Sequence, residues 1–333
     1  MEARKNDHIE LAFSSQAAGA EIDRRFDYEP MTGSHRQGEI QPFTFLGKTL
    51  KVPIWVSSMT GGTALARTIN TNLARACREF GMGLGLGSCR ILLANDLYLP
   101  DFDMRPVIGD ELPLYANIGI VQLEDMLLDG SWPRLVGLVE RLRADGLIIH
   151  VNPVQEWLQM EGDVLKSPPF ETIAEFLELS RLRLIVKEVG QGMGPVSIAK
   201  VMSLPIEAFE LAAFGVTNFA KVELARSTAW QRELYGPLAM IGNTASDMIE
   251  TINCLASENN GGGCRQIIIS GGIRNFLDGY YHISRSRLPA VFGQASAFLA
   301  VARGEYEDLR MYIAGQISGL KFARAFLKIK EQE

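Results

Sequence analysis

The segment from His150 to Glu156 places four polar side chains within seven residues, in the order His-Val-Asn-Pro-Val-Gln-Glu. Glu156 is suited to Mg²⁺, which usually takes one or two carboxylates together with waters and phosphate oxygens. Gln155 is a neutral amide that cannot act as a base near pH 7. Glu156 is therefore a candidate metal ligand, whereas Gln155 could position a reacting group but could not act as a base itself. A helix N-terminal role for Glu156 and a core role for His150 are the alternatives.

Further polar side chains stand where short apolar runs end. Helix capping accounts for single Ser, Thr and Asn residues, but not for a set that also contains Arg90, His150, Glu156 and Lys187. Because buried charges need a strong reason, this coincidence of polarity with run ends indicates an enzyme. The polar positions are 57–62, 88–90, Asn117, 150–156, Lys187–Glu188, Thr217–Asn218 and 270–272.

The apolar runs are nearly continuous in hydrophobicity, which is typical of parallel strands buried on both faces. They end near residues 57, 87, 118, 152, 189, 215, 271 and 295, with helical patterns between them. Most intervals suit a βα unit of roughly 30 residues. We predict one α/β domain over residues 1–333, a (β/α)₈ TIM barrel with a polar extension (1–50) and an insertion (about 216–265) between strands six and seven. A doubly wound sheet is the alternative, although the Gly-rich run at 83–88 lacks the GxGxxG spacing.

The composition narrows the class of protein. The chain has 333 residues, 47% of them hydrophobic, and a net charge of −6. No basic stripe is present, which argues against nucleic acid as a partner. Cys77, Cys89, Cys254 and Cys264 have neither disulfide-framework nor zinc spacing. With no signal peptide and no apolar run long enough for a membrane helix, we expect a cytoplasmic protein without a membrane anchor.

Seven motifs resemble, in chain order, the type 2 isopentenyl-diphosphate delta-isomerase family, which uses FMN. The pattern His-x-Asn-Pro-x-Gln-Glu followed by Gln-x-Glu-Gly-Asp is the most specific of them. Together they extend over nearly the whole chain. They are Arg4-Lys5-x-x-His8-Ile9, SSMTGG at 57–62, GSCR at 87–90, ANIG at 116–119, HVNPVQEWLQMEGD at 150–163, VKEVGQGM at 186–193 and SGGIR at 270–274.

This resemblance implies the interconversion of isopentenyl and dimethylallyl diphosphate in isoprenoid biosynthesis. Reduced FMN would act as the acid and base, with Mg²⁺ and with NADPH or NADH as the reductant. Proteins of this kind are commonly homo-oligomers, so we expect a tetramer or an octamer.

The resemblance also assigns residues to roles. Glu156 would bind the metal, and the catalytic group would be Gln155, Lys187 and His150. The substrate would be bound by Arg4, Lys5, His8, Ser88, Arg90, Asn152 and Gln155. FMN would be bound by Ser58, Met59, Thr60, Ser88, Asn117, Lys187, Thr217, Gly271, Gly272, Arg274, Ala295 and Ser296. Backbone N–H groups at 271–272 and 295–296 suit its phosphate, as in other barrels.

One loop departs from the family pattern. Where the family has Gly-Ala-Gly-Gly-Thr-Ser-Trp, residues 213–219 read Ala-Phe-Gly-Val-Thr-Asn-Phe, so that Val216 replaces a glycine. Two other functions therefore stay open. One is an FMN oxidoreductase of the 2-hydroxy-acid type, which needs a histidine base at the barrel mouth; besides His8, the candidates are His35, His150 and His282. The other is a flavin-binding relative without catalytic activity.

Overall fold

The computed structural model describes residues 2–58, 60–159, 161–215, 217–258 and 263–330, so Met59 and Val216 lie outside the described residues. Eight parallel strands, β4 to β11, close into a barrel in chain order, which confirms the predicted (β/α)₈ fold. The strands are β1 (Phe26–Tyr28), β2 (Phe43–Phe45), β3 (Lys48–Leu50), β4 (Ile54–Val56), β5 (Gly83–Gly85), β6 (Leu114–Gly119), β7 (Gly146–His150), β8 (Leu184–Lys187), β9 (Ala208–Glu210), β10 (Ile267–Ser270), β11 (Ala290–Gln294) and β12 (Leu327–Ile329).

The described chain contains fifteen α-helices, most of which follow barrel strands and surround the barrel. They are α1 (Glu2–Leu11), α2 (Ala64–Phe80), α3 (Leu99–Phe102), α4 (Arg105–Ile108), α5 (Ile120–Leu128), α6 (Pro133–Arg141), α7 (Pro153–Leu158), α8 (Pro169–Leu179), α9 (Pro195–Ser203), α10 (Phe219–Arg226), α11 (Ala229–Tyr235), α12 (Ala245–Glu258), α13 (Phe276–Arg285), α14 (Ser296–Ala302) and α15 (Tyr306–Phe326). Between β9 and β10 the described chain holds α10, α11 and α12.

Local sequence explains where these elements begin and end. The Thr63 hydroxyl accepts the N–H of Ala66 and caps α2, while Gly81 ends that helix with a left-handed φ of 72°. Strand β10 reads Ile-Ile-Ile-Ser and is wholly buried. β-branched residues suit such a two-sided burial. Strand β9 ends at Glu210, earlier than the expected position near 215, and Ala212 just beyond it has a φ of 41°, which a regular strand does not allow.

Two small antiparallel pairs lie outside the barrel. Strands β2 and β3 are joined by Leu46 and Gly47, both with positive φ, as a tight hairpin requires. Strands β1 and β12 pair near the two chain ends, and Arg25 forms an ion pair of 2.7 Å with buried Asp278 of α13. The segment after the last barrel strand contains the long helix α15, whose buried face includes Leu309, Ile313 and Leu320. None of the helices in the described ranges has the length and apolar character needed to cross a membrane.

Candidate active site

Three adjacent strands end in a row of ionisable side chains. His150 of β7 pairs in register with Lys187 of β8, and Lys187 pairs in register with Glu210 of β9. Residues in register across a sheet project to the same face. Since all three line cavities at this end of the barrel, the row faces the mouth, where barrel enzymes carry their active sites.

Two cavities adjoin at the mouth. The first is lined by Ser58, Lys187, Glu210, Thr217, Gly271, Ala295 and Ser296, among others. The second is lined by Ser58, Ser88, Asn117, His150, Gln155 and Lys187. Val189 and Phe219 also line both, so Ser58, Lys187, Val189 and Phe219 form the common boundary.

Lys187 is a buried cation at this boundary, with 6% of its surface exposed. Its Nζ donates to the backbone oxygen of Glu188 at 2.7 Å. The Glu188 carboxylate is occupied elsewhere, because its Oε2 accepts the N–H groups of residues 189–192 at 2.5–3.1 Å. Burial raises the pKa of Glu188 in spite of these donors. The Lys187 and Glu188 side chains therefore do not form a salt bridge with each other.

His150 is held as a neutral ring. Its Nδ1 lies 2.7 Å from Oδ1 of Asn117, and Nδ2 of Asn117 donates to the Leu86 carbonyl at 3.0 Å. Since the amide oxygen of Asn117 can only accept, the network assigns the proton to Nδ1 and leaves a lone pair on Nε2. Loss of solvent, with a smaller repulsion from Lys187, lowers the pKa of His150 to about 3.

The beginning of α7 organises the predicted metal ligand. Nδ2 of Asn152 donates to Glu156 Oε1 at 2.9 Å and to Gln155 Oε1 at 3.2 Å. The backbone N–H of Asp163 donates to Glu156 Oε2 at 3.0 Å, and the Asp163 carboxylate pairs with Arg90 at 3.0 Å. The predicted residues Asn152, Gln155, Glu156 and Arg90 thus form one connected group. No three His, Cys, Asp or Glu side chains in the described ranges gather closely enough to hold a metal by themselves.

Gln155 has a partner that the sequence did not single out. Its Nε2 donates to Oε1 of Glu223 at 3.2 Å, as does Nε2 of Gln159. Glu223 is buried on α10, on the same face as Ala220 and Leu224. Ala220, Glu223 and Leu224 have the i, i+3, i+4 spacing of one helix face, and a carboxylate on such an apolar face was the signal available in the sequence.

Glycines bring backbone close to the first cavity. Gly271 and Gly272 have φ values of 82° and 75°, and a Cβ on Gly271 would lie 2.0 Å from the Ala213 carbonyl oxygen. Any side chain there would push apart the ends of β9 and β10. Residues 295–297, at the start of α14, line the same cavity. Glycine-bounded turns beside the start of a helix are typical of phosphate sites in barrels, and phosphate binding by these segments stays a prediction.

No protein-family model matches the chain. Curated relatives named isopentenyl-diphosphate delta-isomerase are similar to it over most of their length. The relative from Synechococcus sp. is 32% identical over 327 residues, covering 96% of this chain and 90% of the relative. The relative from Rickettsia felis is 34% identical over 305 residues, covering 90% and 85%.

The chain belongs to the isopentenyl-diphosphate delta-isomerase family. The predicted resemblance and the prediction of an enzyme are both confirmed. Solved structures support the fold at much lower identity. The flavin-binding domain of baker's yeast flavocytochrome b2 aligns with a TM-score of 0.59 at 15% identity, over 95% of this chain and 78% of that one. A mandelate oxidase variant with an FMN adduct gives 0.54 at 14% identity, over 99% and 100%.

Several residues assigned through the family lie apart from the cavities. Arg4, Lys5 and His8 are exposed on α1. The guanidinium of Arg274 is 71% exposed and is bound to Asp278 at 3.1 Å. Thr60, which is partly buried, packs its carbonyl against Gly87. Their roles stay predictions.

Proposed function

We propose that this family member interconverts isopentenyl and dimethylallyl diphosphate, with FMN in the first cavity and the substrate in the second. The relatives at 32–34% identity carry the name of this activity. The observation that supports it most directly is the shared boundary of the two cavities. There a buried cation, Lys187, stands between a glycine-bounded cavity and one lined by Gln155 and His150.

The residues around the first cavity suit FMN. The hydroxyls of Ser57 and Ser58 are buried without a hydrogen-bond partner, and such groups normally have one. Ser58 lines the cavity on one side, and Thr217, Gly271 and Ser296 line it on the other. Reduced FMN, when bound, would supply an acid and base of suitable pKa next to the alkene. Lys187 favours a negative charge at this boundary.

The chain's own residues hold and enclose the substrate. Gln155 is fixed between Asn152 and Glu223 by hydrogen bonds of 3.2 Å each, so it can orient the alkene without exchanging a proton with it. Phe219 supplies an apolar wall to both cavities. Exclusion of water by such a wall protects a carbocation-like centre from hydration.

Mg²⁺ would bind at Glu156, next to Asn152 and Asp163. One carboxylate is sufficient when the diphosphate supplies further oxygens. Arg90 is held 3.0 Å from Asp163, which keeps a second cation beside the same position. NADPH or NADH would serve only to reduce the flavin.

An anaerobic assay tests the proposal. The purified protein is titrated with FMN and FAD by absorbance, then reduced and given isopentenyl diphosphate and Mg²⁺. We expect stoichiometric FMN binding and formation of dimethylallyl diphosphate. Stoichiometric FAD, or no product with reduced FMN, would contradict the proposal. Oxidation of lactate or mandelate would instead favour the 2-hydroxy-acid type of oxidoreductase.

A further inference from the structure

Glu210 is a fully buried carboxylate that the proposed reaction does not use. It ends β9 with 0% of its surface exposed and lines the first cavity. Its Oε1 accepts the hydroxyl of Ser270 at 2.9 Å, whereas its Oε2 is buried without a hydrogen-bond partner. A buried carboxylate with one free oxygen is costly unless another charge or a ligand compensates it.

Lys187 is the cation placed to compensate it. The two residues are in register on neighbouring strands, and both line the first cavity. Neighbouring strands lie about 4.8 Å apart, so the two side chains leave the sheet at adjacent positions on the same face. They do not form a direct ion pair, since the Lys187 ammonium donates to the Glu188 carbonyl at 2.7 Å. Each charge therefore remains able to act on a third group in the cavity.

Packing alone does not explain this arrangement. A neutral side chain would satisfy Ser270, whose hydroxyl also accepts the N–H of Ala212 at 3.0 Å. The Glu188 carboxylate, by contrast, has a clear structural role, because it accepts hydrogen bonds from four backbone N–H groups of the loop after β8. Glu210 has no such set of donors, so its charge needs another role.

We propose that Glu210 is a positioning residue that opposes the field of Lys187 at the bound flavin and so limits how strongly the site favours the anionic, reduced form. The proposal rests on FMN as the cofactor of the first cavity. Reduction to the anion adds negative charge, which Lys187 stabilises and Glu210 destabilises. Glu210 thereby sets the balance between the two flavin states.

The test measures the reduction potential of bound FMN by dye-equilibrated titration at fixed pH. Glu210→Gln keeps the shape and the acceptor for Ser270 but removes the charge. We expect the reduced state to be favoured about tenfold more than in the wild type, which is about +30 mV for a two-electron couple. Glu210→Asp retains the negative charge, so the preference of its bound flavin for the reduced state should lie within about threefold of that in the wild type.

Two further variants keep the test decisive. Glu124→Gln removes another buried carboxylate, on α5, that accepts the N–H groups of Lys166 and Ser167; its potential should equal that of the wild type. Glu210→Met removes both charge and polarity, and its potential should also be higher than that of the wild type. It replaces Glu210→Gln in the test if that variant fails to fold.

The outcomes separate the two proposals. Wild-type protein that binds no FMN would refute the proposed function and this inference with it. Wild-type protein that binds FMN, with an unchanged or lower potential in Glu210→Gln and Glu210→Met, would refute the inference alone. An equal shift in Glu124→Gln would show that loss of any buried carboxylate suffices, and would also refute it.

Discussion

The protonation state of His150 decides how the second cavity can hold an anion, and it can be measured through folding stability. The pKa of this ring is lowered from 6.5 to about 3 in the folded protein. Between these values the unfolded chain binds a proton that the folded protein does not. The free energy of unfolding therefore rises with pH across this window and falls as the pH is lowered from 6.5 towards 3.

His150→Asn isolates this contribution. The Asn side chain keeps an N–H near the position of Nδ1, so it can still donate to Oδ1 of Asn117, but it does not titrate. From pH 6.5 to pH 5 is about 1.5 pKa units, each worth about 1.36 kcal/mol. We therefore expect the wild type to lose about 2 kcal/mol more stability than His150→Asn between pH 7 and pH 5.

Urea denaturation of the apoprotein, followed by tryptophan fluorescence at both pH values, gives this difference. His35→Asn is the matched control, because that ring is exposed in the folded protein; it should behave as the wild type does. Losses of stability that agree to within about 0.5 kcal/mol in wild type and His150→Asn would refute the neutral, desolvated ring. The pKa of His150 would then be nearly the same in the folded protein and in the unfolded chain.

Three other outcomes are expected. Glu156→Gln should need about tenfold more Mg²⁺ for half-maximal turnover while FMN titrates as in the wild type, since the amide keeps the shape but loses the charge that binds a hard cation; an unchanged Mg²⁺ requirement would exclude Glu156 as the ligand. NADH or dithionite should be needed only in catalytic amount under anaerobic conditions, because substrate and product share an oxidation state; one NADH consumed per product would exclude this mechanism. Gly271→Ala should weaken FMN binding at least about tenfold, because its Cβ would lie 2.0 Å from the Ala213 carbonyl oxygen. The control Gly130→Ala, at a φ of 75° with open space around it, should leave FMN binding unchanged and lower the stability by about 1–2 kcal/mol. Equal FMN affinities in the two variants would refute the backbone site.

The sequence predicts the barrel because its strands carry an unusual pattern. Runs such as 267–270 and 146–150 are apolar on both faces and end in polar residues, as expected for parallel strands whose carboxyl ends form a site. The ends of these strands agree with the expected positions. The sixth strand is the exception, since the backbone turns at Ala212, and side-chain patterns do not report such a local change of φ.

Residues of the site that come from helices were harder to foresee. Glu223 reaches Gln155 only because α10 packs against α7, and which face of a helix turns inward is decided by that packing. Glu210, which lies on a strand, was also hard to foresee, because it stands within an apolar run of the sequence. Only the structure shows that its side chain is fully buried at the end of that strand. Arg274, by contrast, was assigned to the cofactor, but in the structure it pairs with Asp278, four residues further along the chain. This short-range ion pair competes with the predicted contact to a cofactor.

The ion pair between Arg25 and Asp278 has a consequence for the N-terminal cations. It fixes the chain at the first turn of α13, which begins at the mouth of the barrel. Sixteen residues separate Arg25 from His8, and the seventeen steps along the chain between them can extend over at most about 55–60 Å. Arg4, Lys5 and His8 are therefore tethered, and an anion at the mouth meets them at a local concentration on the order of millimolar, whatever the concentration of protein in solution. If the chain were cut at residue 24, the N-terminal segment would have to be added as a free peptide at about millimolar concentration to have an equal effect.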